Sequence, residues 1–196
     1  MIARTVTVAA LMLAAASLPA VAQTRLNADQ LAGSLQGIEA APRGFSAALL
    51  RQQALNNIRS HTYQDPRGRP PLSEQLNKLA QITVTIQFDF NSARIRPESY
   101  RTVALIADSL YHPTLLGYKF LIVGHADAVG GREANLNLSQ RRAEAIREAL
   151  LNPFGISPDR VEAVGLGEEQ LLDSANPTAA KNRRVQVVNI GPLVTR

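Results

Sequence analysis

Phe120-Leu121-Ile122-Val123-Gly124-His125-Ala126-Asp127-Ala128-Val129-Gly130-Gly131 is the stretch on which the fold turns. Its first four residues form a continuous apolar run, the mark of a strand covered on both faces. A glycine-rich, acid-bearing loop follows. A helical pattern then runs from near Leu138 to a stop at Pro153 and Gly155. Buried strand, loop and helix make the unit of an α/β sheet, and in open sheets of that kind ligands favour the loops at the carboxyl ends of strands.

Working outward, Ile82, Val84, Ile86, Phe88 and Phe90 alternate with Thr83, Thr85, Gln87 and Asp89, which predicts a half-buried strand. Pro97 suits the first turn of a helix that carries Val103, Ile106, Ala107 and Leu110 at helical spacing and ends before Pro113. Downstream, Val161–Leu166 and Val185–Ile190 supply two more strands. The expected architecture is α/β: a two-layer sandwich of βαβαβ type, its mixed sheet packed by helices on one face. It covers residues 82–192, with 193–196 as a tail.

The rest of the chain is simpler in pattern. Arg4, the apolar Val6–Leu18 and the small Ala20-Val21-Ala22 before Gln23 have the form of a secretory leader, so residues 1–22 are expected to be cleaved after Ala22. The apolar stretch is short for a span of about 20 residues. Residues 23–81 are expected to be a weakly structured, partly helical linker or docking arm. Asn27 with Gln30 has the form of a capping box, and a second helix is expected from Ser46 to about Ser60. Asp65-Pro66-Arg67-Gly68-Arg69-Pro70-Pro71 then breaks any regular structure. The segment is too short for an eight-stranded outer-membrane barrel, which needs roughly 72–88 residues in strands.

Charge excludes one class of partner. Residues 82–196 carry thirteen basic and twelve acidic groups, nearly neutral, and residues 23–81 carry seven against four. A nucleic-acid partner demands a concentrated basic face, so none is expected. With no cysteine in the chain, a disulfide framework, thiol catalysis and a lipid-acceptor cysteine are excluded. His61, His112 and His125 are scattered and lack the spacing of a zinc helix. No metal or cofactor is expected.

The candidate site lies on the loop after the central strand. On the following helix, Leu138, Ala145, Ile146 and Ala149 define an apolar stripe centred on Arg142, with Glu144, Arg147 and Glu148 on the opposite side. An inward-facing arginine needs a partner, and Asp127 is the nearest acid in sequence. With the helix starting near Leu138, Arg142 also falls in the first turns, where the helix dipole disfavours a cation. Two readings of the pair stand side by side: an ion pair locking loop to helix, or a pair that grips a ligand.

From Ile86 to Ile190 the chain resembles the OmpA-like family, the module shared by the C-termini of OmpA, peptidoglycan-associated lipoprotein and MotB. The resemblance is carried by Phe88-Asp89-Phe90-Asn91-Ser92-Ala93, Ile95 and Pro97, then Val123-Gly124-His125-x-Asp127-x-x-Gly130. It continues through Asn135, Leu138-Ser139-x-x-Arg142-Ala143, Gly155-Ile156, Arg160, Gly165-x-Gly167-Glu168 and Asn182-Arg183-Arg184-Val185. It implies a non-enzymatic periplasmic domain that binds the diaminopimelate of the peptidoglycan stem peptide, tethering the envelope, with a peripheral place at the outer membrane left open. The family's ligand-holding acid and base fall on Asp127 and Arg142, with Asn91 and Asn135 as secondary contacts. A carboxylate suits the diaminopimelate ammonium, and a planar guanidinium grips its carboxylate through two parallel bonds. Three places depart from the pattern: Ala126 replaces a threonine, Val129 a usually polar residue, and Leu171-Leu172 stands where proline is common.

Other residues have plainer readings. Arg183 and Arg184 are expected to fix the last strand rather than bind an anion, and His125 to be structural. Gly165-Leu166-Gly167 lacks the context of a dinucleotide loop. A stem-peptide amidase or peptidase would need an activated nucleophile or a metal, and neither pattern is present. The competing reading is a periplasmic scaffold whose basic arm, residues 23–81, binds an envelope protein and whose wall site is secondary.

Overall fold

A computed structural model of the chain describes residues 27–37, 40–42, 44–60 and 76–193. The expected leader, the proline-rich break and His61 lie outside these residues. The elements are α1 (Ala28–Leu35), α2 (Ala47–Arg59), β1 (Gln81–Val84), α3 (Tyr100–Leu110), β2 (Tyr118–His125), α4 (Arg132–Leu151), β3 (Val161–Gly167) and β4 (Val185–Pro192).

The four strands form one mixed sheet in the order β1-β4-β2-β3. β2 and β3 are parallel, joined through α4, while β4 runs antiparallel to both β1 and β2. This is the α/β architecture expected from the strand–helix alternation. The apolar run in β2 is explained by its two faces: Phe120 and Ile122 enter one core, Leu121 and Val123 the other. The first core joins the sheet to α1, α3 and α4 through Leu35, Ile106, Leu110 and Ile146. The second lies on the opposite face under α2, with Leu50, Ala54, Leu76 and Leu79 closing over Val164 and Val188.

The described parts of residues 23–81 are therefore not a free linker. Asn27 and Gln30 close the capping box, their side chains bonding each other's backbone N–H at 2.7 and 3.1 Å. Leu35 is fully buried, and its carbonyl accepts from buried Asn189 Nδ2 of β4 at 2.9 Å. At α2, the Ala47 N–H donates to Glu162 of β3 at 2.8 Å. The division expected at residue 82 does not separate one core from another.

Three local expectations need correction. The strand expected from Ile82 to Phe90 stops at Val84, because its partner β4 begins opposite it at Val185. Beyond that point the chain turns back on itself through a single Phe88–Ile95 bridge, and Phe90 lies almost wholly in solvent at 97% exposure. The helix α4 starts at Arg132, not near Leu138. Arg142 thus sits about three turns in, clear of the N-terminal dipole. The buried face of that helix is also rotated from the expected stripe: Leu136, Ser139, Ala143 and Ile146 are buried, while Leu138 and Arg142 flank them half-buried.

Glycines seat this helix. A Cβ on Gly165 would lie 2.0 Å from the Gln140 backbone nitrogen, and one on Gly124 would lie 2.5 Å from the Ser139 carbonyl oxygen. Only bare backbone lets α4 approach β2 and β3 so closely. Gly165-x-Gly167 is a helix seat, with the Gly167 N–H donating to Ser139 Oγ at 2.8 Å.

Candidate functional site

Three loops meet at the carboxyl ends of β2 and β3: the 88–95 turn, the 126–131 loop, and the 168–184 segment before β4. Each is fastened by polar groups. Asn135 Nδ2 donates to the carbonyls of Asp127 and Val129 at 3.2 and 3.1 Å and to Glu168 Oε2 at 2.6 Å. Asn182, fully buried, holds the third loop through the carbonyls of Asp173, Asn176 and Pro177. The Ala128 N–H bonds the Pro177 carbonyl at 3.0 Å and ties the two loops together.

Asp127 is largely buried. Its Oδ1 accepts from the Val129 N–H at 3.3 Å and its Oδ2 from Arg183 Nη1 at 2.5 Å. The acid's ion-pair partner is therefore Arg183, not Arg142. The locking ion pair that was one reading of Asp127 and Arg142 is absent from the structure.

Arg142 is held differently. Its Nε donates to the Ser92 carbonyl at 3.0 Å, and its guanidinium carbon lies 4.9 Å from the centre of the Phe88 ring. Among the described residues it forms no ion pair, and both η nitrogens lack a protein partner. Burial lowers its pKa, the Arg183 charge lowers it further, and Asp127 opposes the shift. Arg142, Arg183 and Asp127 thus feel one another's charges. A half-buried guanidinium with its fork unfilled is suited to a planar anion.

The two asparagines take other roles. Asn135 spends its amide nitrogen on loop carbonyls and Glu168, so it positions the loop rather than offering that nitrogen to a ligand. Asn91 adopts the left-handed conformation with φ +48°, which asparagine tolerates better than most residues, and it shapes the turn that presents the Ser92 carbonyl. Asn91 itself is exposed.

The two consecutive arginines split. Arg184 is buried and donates to the Gln170 carbonyl at 3.1 Å, fixing the start of β4 as expected. Arg183 points to Asp127 with half its side chain exposed, and the sequence reading missed it. The available signal was that adjacent residues entering a strand face opposite ways. His125 is buried with its pKa well below the usual value, chiefly by burial and then by Arg184, opposed by Gln186. It is neutral near pH 7 and adds no charge to the site. Among the described residues no cluster of three His, Cys, Asp or Glu is arranged to hold a metal.

Residues 87–184 match the OmpA family model, and the chain belongs to the OmpA family. It is 34% identical over 125 residues to outer membrane porin F of Pseudomonas aeruginosa, an alignment covering 62% of this chain and 34% of that protein. It is 35% identical over 118 residues to the peptidoglycan-associated lipoprotein of Pseudomonas putida, covering 59% and 68%. The crystal structure of the peptidoglycan-associated lipoprotein from Burkholderia pseudomallei aligns at 34% identity over 53% of this chain and 87% of that one, with a TM-score of 0.44. The chain spans about a third of the length of the porin F relatives it matches.

Proposed function

We propose that this chain is a non-catalytic envelope protein that binds peptidoglycan from the periplasm and tethers the envelope to the wall. It holds the diaminopimelate of the stem peptide between Asp127 and Arg142. The observation that carries the reading is the unfilled fork of Arg142, half-buried and stacked on Phe88 close to the Asp127 carboxylate. Diaminopimelate ends in an ammonium and a carboxylate on one carbon, the complement of an acid beside a guanidinium. Family membership and the resemblance to peptidoglycan-associated lipoproteins support peptidoglycan as the partner. Among the described residues no helix is long and apolar enough to cross a membrane, and the leader-like N-terminus fits export.

Arg142→Lys tests the reading. Lysine keeps the charge and most of the stem, but it cannot form two parallel bonds to a carboxylate. Loss of one charged hydrogen bond, about 1.5–3 kcal/mol, weakens binding of a diaminopimelate muropeptide by roughly 10- to 160-fold in calorimetry, with the melting curve preserved. Near wild-type affinity in the folded variant would remove Arg142 from the site.

A further inference from the structure

We propose that the free edge of β1 is a pairing surface for a second copy of this chain, joining two four-stranded sheets through antiparallel β1 strands. The two outer strands of the sheet, β1 and β3, are finished differently. Along β3, side chains of α4 close the edge. Arg147 Nε donates to the Val161 carbonyl at 2.6 Å, and Gln140 Nε2 to the Ala163 carbonyl at 3.3 Å. Gln140 Oε1 accepts from the Gly165 N–H at 2.7 Å, and Ser139 Oγ from the Gly167 N–H at 2.8 Å. Closure of this kind keeps an edge from recruiting another chain.

β1 has no such cover. The Asn189 N–H donates to the Ala80 carbonyl at 2.8 Å, and the ladder continues with Ile82 opposite Val187 and Val84 opposite Val185. Even-numbered residues therefore bond β4, and Gln81 and Thr83 turn their N–H and carbonyl groups away from it. Burial goes on alternating past the strand, with Thr85 exposed and Ile86 buried, so Thr85 extends the outward row. Among the described residues no side chain caps these groups. The row ends at Gln87, whose carbonyl accepts from the Arg96 N–H at 2.9 Å as the chain folds back. The open window is residues 81–85, with Thr83 at its middle.

A two-fold axis at Thr83 matches this window to its own copy. Thr83 then meets the partner's Thr83, and Gln81 the partner's Thr85, so polar pairs with polar on the exposed face. Ile82 meets the partner's Val84, a β-branched pair that continues the core. Residues 79–88 carry no charge, so nothing along the seam repels. Beyond it, Asp89, Arg94, Arg96 and Glu98 are ion-paired among themselves. A strand pair this short falls below the roughly 1,200 Å² of a standard stable interface. The dimer is therefore weak, forming at about 100 μM and above. Because β4 is antiparallel to both β1 and β2, β1 runs with β2. Antiparallel pairing thus sends the two candidate wall sites to opposite ends of the joined sheet. The pairing stands apart from the ligand reading; with that reading, one dimer grips two stem peptides facing opposite ways.

Sedimentation of the full chain across a concentration series is the test, and wild type is expected to pass from monomer to dimer. Thr83→Pro removes one outward N–H from each copy and spares the ladder to β4, a place where an edge strand tolerates proline. It is expected to weaken the dimer about 10-fold or more and to melt near wild type. Thr83→Lys and Thr83→Glu each set like charges opposite one another at the axis, so neither should self-associate. An equal mixture of the two should regain a dimer, because only the mixed pair is attractive. Muropeptide affinity should be unchanged in every variant, so failure of wall binding and failure of pairing are read separately. A wild type that stays monomeric to about 1 mM overturns the proposal. So does a dimer that persists undiminished in folded Thr83→Lys, or a mixture of folded variants that restores nothing.

Discussion

Leu35→Ala asks whether α1 belongs to the folded unit in solution. Leu35 is fully buried in the core shared by α1, α3 and the sheet. Its truncation removes three heavy atoms' worth of contacts and leaves a hole bounded by helix and sheet. Leucine-to-alanine changes in such sites cost about 2–5 kcal/mol, the spread reflecting how far the surroundings collapse. Leu35 is flanked by strand residues pinned in a ladder, so a value near 3 kcal/mol is expected. For a domain of this size that lowers the midpoint by about 6–12 °C. Leu50→Ala on α2, in the opposite core, should cost a similar amount, while Leu49→Ala, 41% exposed on the same helix, should change stability by under about 0.5 kcal/mol. The assay is thermal and denaturant unfolding of the three variants, with muropeptide affinity measured below each transition and expected to stay at the wild-type value. Midpoints for Leu35→Ala and Leu50→Ala within about 2 °C of wild type would refute the docking of both helices. A chain cut at residue 82 would then fold independently, as the sequence pattern implied.

Gly165→Ala should cost about 3 kcal/mol or more, because its Cβ would meet the backbone of Gln140 and Ser139. Gly33→Ala, in α1 with nothing within 4 Å, should stabilise by about 0.4–1 kcal/mol; denaturant melts of both measure the contrast. Glu162 provides a pH test. Burial raises its pKa, but the Lys119 ammonium and the Ala47 N–H outweigh that and hold it below the usual value. The pairing therefore stabilises the fold fully above the ordinary glutamate pKa, near 4.3, and the contribution is lost as pH falls through the depressed value. The gap in melting temperature between wild type and Glu162→Gln should be constant near neutrality and close as the pH drops below about 4; a gap independent of pH would refute the assignment.

How much of this was legible in the sequence depends on what each element leans on. β2 was readable because both of its faces are apolar, and that property survives in a linear string. The start of α4 was hidden because Arg132, Glu133, Asn135 and Asn137 are polar, and the reason is tertiary: Asn135 serves the loop before it. Starting the helix late in turn shifted the apolar stripe and placed Arg142 at its centre. The docking of α1 was invisible for a different reason. An eight-residue helix is marginal by itself in water, and its capping box shows where a helix begins without showing what it rests on. The pairing of Asp127 with Arg183 joins residues 56 apart in sequence, whereas choosing the nearest opposite charge favoured Arg142.

That misplaced pair also explains why the site is built as it is. Had Asp127 and Arg142 bonded each other directly, the two groups would satisfy one another, and a ligand would have to break a half-buried ion pair before making any contact. Instead each is held from the side. The Val129 N–H steadies one oxygen of Asp127, and the Ser92 carbonyl takes only the Nε of Arg142. Asp127 pairs instead with Arg183, whose charge is half in water and screened accordingly. The groups that hold the loops, Asn135 and Asn182, are buried and do not have to move. The orientation of the loops is thus built into buried groups, apart from the half-exposed arginine that pairs with Asp127.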